Sequence, residues 1–322
     1  METINKNDIN LEDGEIVDFD NLKKIMTSGL EKCICKITIE EKLKCGTGFL
    51  CNIKQKGLQA FITNNHVINK EFLKKEKKLI LEIENKEKEI NLELSRYKIT
   101  DEYLDYTIIE IIKEDNISNF LDIDENINSN DYKNEVIFCG QYPGGNKLHY
   151  SHGKIIGKKD GLILYSLGTL GGSPGSPIIL FNNLKIIGLH IGYISDENRN
   201  RTSLGLPINL IIDTMHSIKC IYRIKKEDIN KNVQILNNGY YKDKDKKEFI
   251  ECNKEIKNKT KIIINRDIQS DIMEHKFKKE GEYRIYIIEK ENIKDMSYMF
   301  CGCNSLISID FSNFKKKKKI IM

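Results

Sequence analysis

From Cys33 to about Ile208 the chain is a succession of short apolar runs: CICKITI, GTGFLCNI, LQAFIT, LILEI, EINLEL, YTIIEII, EVIFCGQ, KIIG, LILYSL, SPIILF, KIIGLHIGY and SLGLPI. Glycine, asparagine or clusters of charge separate them. Runs this short, rich in β-branched residues and bounded by turn signals, are strands. A long series of them with little helix between resolves its edges by closing into antiparallel barrels. Asn209–Ser217 then reads as a helix, a polar cap preceding Leu210, Ile211, Ile212 and Met215. The lysine-rich Lys70–Lys78, lying between strand candidates, reads as a solvated loop. The expected class is all-β.

Composition narrows the function classes. A chain of 322 residues holds one large domain or two smaller ones, and a hydrophobic fraction of 39% suffices for a core. Charged residues make up 31%, yet the net charge is only +4, which argues against a dedicated nucleic-acid binder with its lopsided basic patch. The apolar runs are too short to span a bilayer. The start, METINKNDINLEDGEIVDFD, is polar and acidic, unlike a secretory signal, so a cytoplasmic location and no membrane partner are expected. Nine cysteines occur, with Cys33, Cys35, Cys45 and Cys51 near one another and Cys301 close to Cys303. Their spacings miss the paired CxxC of zinc sites, and they read as buried free thiols of a reducing compartment. His149 and His152 have an HxxH spacing without a third ligand in view. No metal and no cofactor is expected.

Three local patterns carry chemistry, in a meaningful order. FITNNHVI places His66 just after an apolar strand; EYLDYTIIEI places Asp105 just before one; TLGGSPGSPII is a Gly-rich turn entering a third. Each is weak alone, since a lone histidine or aspartate at a strand end is more often structural. In the order histidine, aspartate, Gly-rich turn, tens of residues apart in an all-β chain, they match the chain order of a serine triad.

Residues 44–217 resemble the trypsin-like serine peptidases, and most closely their glutamyl endopeptidase branch. Gly46–Leu50 is similar to that family's first-barrel strand, Thr63–Val67 to its histidine motif and Asp105–Ile109 to its aspartate motif. Thr169–Ile178 resembles its nucleophile loop, and Ile187–Gly192 the strand walling its specificity pocket. The resemblance implies a chymotrypsin-like fold of two antiparallel six-stranded β-barrels over residues 28–217. It implies His66 as general base, Asp105 as the carboxylate orienting it, and Gly172 as one oxyanion-hole donor. Thr169 and His190 would bind an acidic or amide side chain before the scissile bond, because hydroxyl and imidazole donors suit such oxygens. Viral chymotrypsin-like cysteine proteases read glutamine with a similar strand; here Gly188 and His190 match, while Tyr193 replaces the last glycine.

The pattern breaks at the nucleophile. In the family register that position is Pro174. Proline has neither a hydroxyl to attack with nor an N–H to offer the oxyanion. Losing a triad nucleophile costs on the order of 10⁶ in turnover, and losing one oxyanion donor roughly 10²–10³, not additively. Ser173 is the fallback nucleophile, although its hydroxyl would have to move by up to about 3.8 Å. Ser176 is a further alternative, as is a single-base difference between serine and proline codons. Two function classes therefore stand: an endopeptidase cleaving after Glu or Gln, impaired by Pro174, and a non-catalytic peptide-binding or scaffold protein. Both take a peptide or protein as partner.

Beyond the barrels, residues 218–290 read as a small mixed α/β linker module with strand candidates IKCIYRI and KTKIIINR. Residues 291–322 differ again. Met296–Leu306 and Asp310–Phe314 resemble the start of a BspA-like leucine-rich repeat, a unit that needs neighbours to bury its apolar face. The chain reads as truncated after one such unit, or as using it as an isolated cap. The resemblance implies a protein partner for this segment. Residues 1–27 form a polar arm, with Phe19–Met26 a short amphipathic helix, and Lys315–Lys319 a solvated tail.

Overall fold

The computed structural model describes residues 27–39, 44–126, 132–167, 173–195, 197, 201–237, 256–270, 272–291, 293, 296 and 298–314. The N-terminal arm with its expected helix, Thr169, Gly171, Gly172 and Lys315–Lys319 lie outside these residues. The chain divides into two compact units, residues 1–212 and 213–322. Among the described residues no helix is long and apolar enough to cross a membrane.

The first unit opens with β1 (Ile34–Ile39), β2 (Lys44–Ile53), β3 (Leu58–Thr63), β4 (Lys78–Ile83), β5 (Lys86–Asn91), β6 (Lys98–Asp101), β7 (Tyr106–Glu110) and β8 (Leu121–Asp122). They form one curled sheet in the order β5-β4-β1-β2-β3-β7-β6, with β8 parallel to β2. Alternation drives the curl: Leu79, Leu81 and Ile83 of β4 point inward while Lys78 and its alternates face out. Among the described residues this sheet has eight strands rather than six and its ladder is open, a curled half-barrel consistent with the first barrel of a chymotrypsin-like fold. In the connection from β5 to β6, Arg96 is buried. It forks onto Asp115 at 2.8 and 3.0 Å and onto the Glu110 carbonyl at 2.9 Å, the side chains of the pair being 0% and 3% exposed. Lys70–Lys75 is a short helix rather than a loop, because the Asn69 carboxamide accepts from the Phe72 N–H and caps it.

The second half of this unit is a closed six-stranded barrel, as the resemblance implied. Its strands are β9 (Val136–Gln141), β10 (His149–Lys159), β11 (Leu162–Ser166), β12 (Pro177–Leu180), β13 (Ile186–Ser195) and β14 (Arg201–Pro207), ordered β10-β11-β14-β13-β12-β9. A helix, Ile208–Thr214, follows where helical spacing was read. The two halves meet through buried polar contacts. The Tyr142 N–H donates to Thr47 Oγ1 at 3.1 Å, and the Thr47 N–H to the Pro174 carbonyl at 3.0 Å.

The second unit is built on β15 (Ile218–Ile224), whose alternate residues Ile218, Cys220, Tyr222 and Ile224 are buried. β16 (Asn232–Gln234) pairs with β19 (Glu274–Lys276) as a separate ribbon. β17 (Thr260–Ile264), β18 (Asp267–Ser270), β20 (Gly281–Glu289) and β21 (Leu306–Asp310) join β15 in the order β18-β17-β20-β15-β21. The segment resembling a repeat contributes β21 as an antiparallel edge strand, and Met296, Met299, Phe300, Cys303 and Phe314 pack into this unit's core.

Candidate active site

β3 and β7 are antiparallel neighbours, with Thr63 opposite Thr107. His66 leaves the end of one and Asp105 precedes the start of the other, so strand pairing alone brings them together. The turn after β3 is closed by the Val67 and Ile68 N–H groups on the Asn64 carbonyl, at 3.2 and 3.1 Å. Asp105 Oδ2 lies 2.8 Å from His66 Nδ1, and Oδ1 accepts from the His66 backbone N–H at 3.0 Å. One carboxylate thus fixes both the ring and the backbone beneath it. Asp105 sits in the left-handed region at φ +59°, and the Asn64 carboxamide, fully buried, donates to its carbonyl at 2.8 Å. Behind them, Asn65 Nδ2 and Thr107 Oγ1 both bond Thr100 Oγ1, at 2.5 and 2.7 Å. The His66 side chain is 48% exposed, open to an incoming group.

Ser173–Ser176 is a tight turn. The Ser176 N–H donates to the Ser173 carbonyl at 3.1 Å, Pro174 occupies the second place, and Gly175 has φ +92°. That is the signature of a type II turn, for which proline and then glycine are the preferred pair. Proline is therefore the residue this backbone favours at position 174. Glycine is obligatory next to it, because a Cβ at 175 would lie 1.8 Å from the Thr47 carbonyl oxygen and 2.6 Å from Thr63 Oγ1. The turn is pinned on the β2 and β3 side through Thr47 and on the barrel side by the Gly175 N–H donating to the His190 carbonyl at 3.1 Å. It lies against Thr63, three residues before His66. Pro174 itself is half-buried. Ser173 and Ser176 are fully buried, and Ser176 Oγ donates to the Ser173 carbonyl at 2.6 Å. Neither serine hydroxyl is open to a substrate in this arrangement.

His190, on β13, is 2% exposed. Its Nδ1 lies 2.5 Å from the Tyr165 hydroxyl of β11. Burial first, and the charge of His66 second, push its imidazole down to about 4, so the ring is neutral at pH 7. Tyr165 is fully buried, which raises its hydroxyl well above the ordinary range, and it shares a hydrogen bond with the Cys139 thiol. A protonated Tyr165 can donate only where a lone pair is available. Against a neutral His190 the hydroxyl either donates to Nδ1, which places the ring proton on Nε2, or accepts from Nδ1–H while donating to Cys139. Tyr165 and Asn64 were not singled out from sequence. Tyr165 stands at an ordinary inward position of an alternating strand, and its role follows only from the β11-β14-β13 order.

The remaining sequence candidates have quieter surroundings. His149 and His152 both lie on β10, opposite Gln141 and Phe138. Among the described residues no group of three or more His, Cys, Asp or Glu could hold a metal ion. Cys33, Cys35, Cys51, Cys139, Cys220 and Cys303 are buried free thiols.

The architecture has solved counterparts. The serine endoprotease of Yersinia pestis is 14% identical and superposes with a TM-score of 0.52, over 86% of this chain and 100% of that one. The chain has the fold of a serine endoprotease. The inactive form of the Rv3671c protease of M. tuberculosis is 16% identical with a TM-score of 0.43, over 60% of this chain and 91% of that one. No protein-family model and no curated protein matches the sequence.

Proposed function

We propose that this serine-endoprotease fold works as a peptide-binding cleft that keeps the general-base pair of a trypsin-like peptidase but has lost peptide-bond hydrolysis. The observation that carries this is the turn at Ser173–Ser176. It offers neither an exposed hydroxyl nor an N–H at position 174, while His66 and Asp105 beside it remain hydrogen-bonded at 2.8 Å. An imidazole so oriented would take a proton from a serine hydroxyl and return it to the leaving amine. With Pro174 in that place there is no proton to take and no bond to form. Gly172 would remain one oxyanion donor, and the second is missing.

In this reading His190 holds the side chain that a peptidase would place before its scissile bond, and the family resemblance adds Thr169 as a second donor. With Tyr165 donating to Nδ1, the neutral ring donates from Nε2 and recognises a carbonyl oxygen without supplying a counter-charge. Burying a carboxylate there costs more than burying an amide, so glutamine is favoured over glutamate at neutral pH. The C-terminal segment resembling a BspA-like repeat offers a second protein contact.

The test is to incubate the full chain with labelled peptides carrying Gln, Glu, Ala or Lys at one position. Binding is read by anisotropy and integrity by mass spectrometry. The Gln peptide is expected to bind best and to remain intact. Cleavage by the unaltered chain would show that hydrolysis survives, and equal binding of all four would remove His190 from recognition.

A further inference from the structure

Beyond His190, β13 carries a feature that peptide binding by the cleft does not itself require. Its pairing with β14 runs His190 opposite Gly205, then Gly192 opposite Leu204, Tyr193 opposite Ser203 and Ser195 opposite Arg201. One residue is inserted between His190 and Gly192, and Gly192 has φ +148°. Without that bulge His190 and Tyr193, three residues apart, would point to opposite faces. With it they share one. Ser203, opposite both Tyr193 and Tyr165, confirms the row, because Tyr165 is the residue that holds His190.

This face therefore leaves the barrel interior and continues as an open ledge. Tyr193 is 49% exposed, and the Arg201 guanidinium lies over its ring, 4.6 Å from the centroid. Arg201 makes no ion pair among the described residues. The stacking holds an exposed cation in place without neutralising it. Alongside, the ladder from β12 to β13 ends at Pro177 opposite Leu189. Ile191–Ser195 therefore presents a backbone edge that is unpaired on that side among the described residues. A peptide adding antiparallel to this edge, with one side chain at His190, sends its N-terminal direction toward Tyr193. Moving from the His190 row to the Tyr193 row is about 7 Å, two residues of extended chain.

We propose that Tyr193 and Arg201 form a second side-chain subsite, one that takes a carboxylate two residues N-terminal to the side chain held by His190. The inference rests on the cleft being a peptide-binding cleft. The planar fork of Arg201 matches a carboxylate in charge and geometry, and the exposed site sets a modest scale.

The experiment compares fluorescein-labelled Gly-Xaa-Ala-Gln amides, with Xaa as Glu, Gln or Lys, on the full chain by anisotropy. The Glu peptide is expected to bind about two- to fivefold more tightly than the Gln peptide at low salt, with Lys weakest, as for an exposed pair. Raising the salt compresses the order. In Arg201→Gln the preference for Glu over Gln disappears, and an unchanged circular-dichroism spectrum and thermal midpoint show the variant folded. Equal binding of Glu and Lys peptides, or a Glu preference that survives Arg201→Gln, overturns the subsite and leaves the His190 pocket standing. If none of the peptides binds, the cleft reading falls and the subsite with it.

Discussion

Acidification should loosen the barrel through His190. Unfolded, its imidazole titrates near the ordinary value of 6.5; folded, burial and the neighbouring charge of His66 push it down to about 4. Above 6.5 the ring is neutral in both states and costs nothing. Between 6.5 and about 4 the unfolded chain binds a proton that the folded chain refuses, so stability is lost as the pH falls through this window. The distance between the two values, at about 1.4 kcal/mol per pH unit, amounts to about 3 kcal/mol. Other acids titrate in the same range, so the measurement is a difference between the parent and His190→Gln, which has no titrating ring. Because the chain has two units, the readout must report the barrel alone. Hydrogen-exchange protection of peptides covering Leu162–Ser166 and Ile186–Ser195 does so. The parent should lose about 3 kcal/mol more protection than His190→Gln between pH 7 and pH 4. Parallel losses in the two proteins would refute the neutral, Tyr165-bound imidazole.

Two further perturbations test the scaffold around the site. Gly175→Ala forces a Cβ to 1.8 Å from the Thr47 carbonyl at φ +92°, and should destabilise the first unit by at least about 3 kcal/mol in thermal or urea unfolding. A near-neutral result would mean the turn is not held against β2. Asp115→Ala leaves the Arg96 guanidinium buried and unpaired, at a cost of about 3–5 kcal/mol. Adding Arg96→Met should recover much of that loss, and a double variant as unstable as the single would contradict the role of the pair.

Much of the site was legible because its signals are local in sequence. His66, Asp105 and the Gly-rich turn each sit at a strand end, and their order specified which strands must pair. The closed second barrel followed from the same alternation of short runs. The first half was less legible in its closure, because a closed ladder and an open one share the same alternation of short runs. The helix at Lys70–Lys75 was hidden by its lysines, its cause being one carboxamide cap at Asn69. Pro174 was read from the register as a lost nucleophile. That the turn geometry itself favours proline there needed the φ of Gly175 and the hydrogen bond from Ser176 to Ser173. Tyr165 and the His190–Tyr193 alignment depend on strand order and a bulge, neither of which leaves a mark in composition.

The most direct measurement is active-site labelling with a fluorophosphonate on the full chain, on Pro174→Ser and on Pro174→Ser with His66→Ala. The expected result is no label on the parent, clear labelling of Pro174→Ser, and loss of that label when His66 is removed. Labelling of the parent that Ser173→Ala abolishes would contradict the loss of hydrolysis, and a Pro174→Ser protein that stays unlabelled would contradict a poised His66–Asp105 pair.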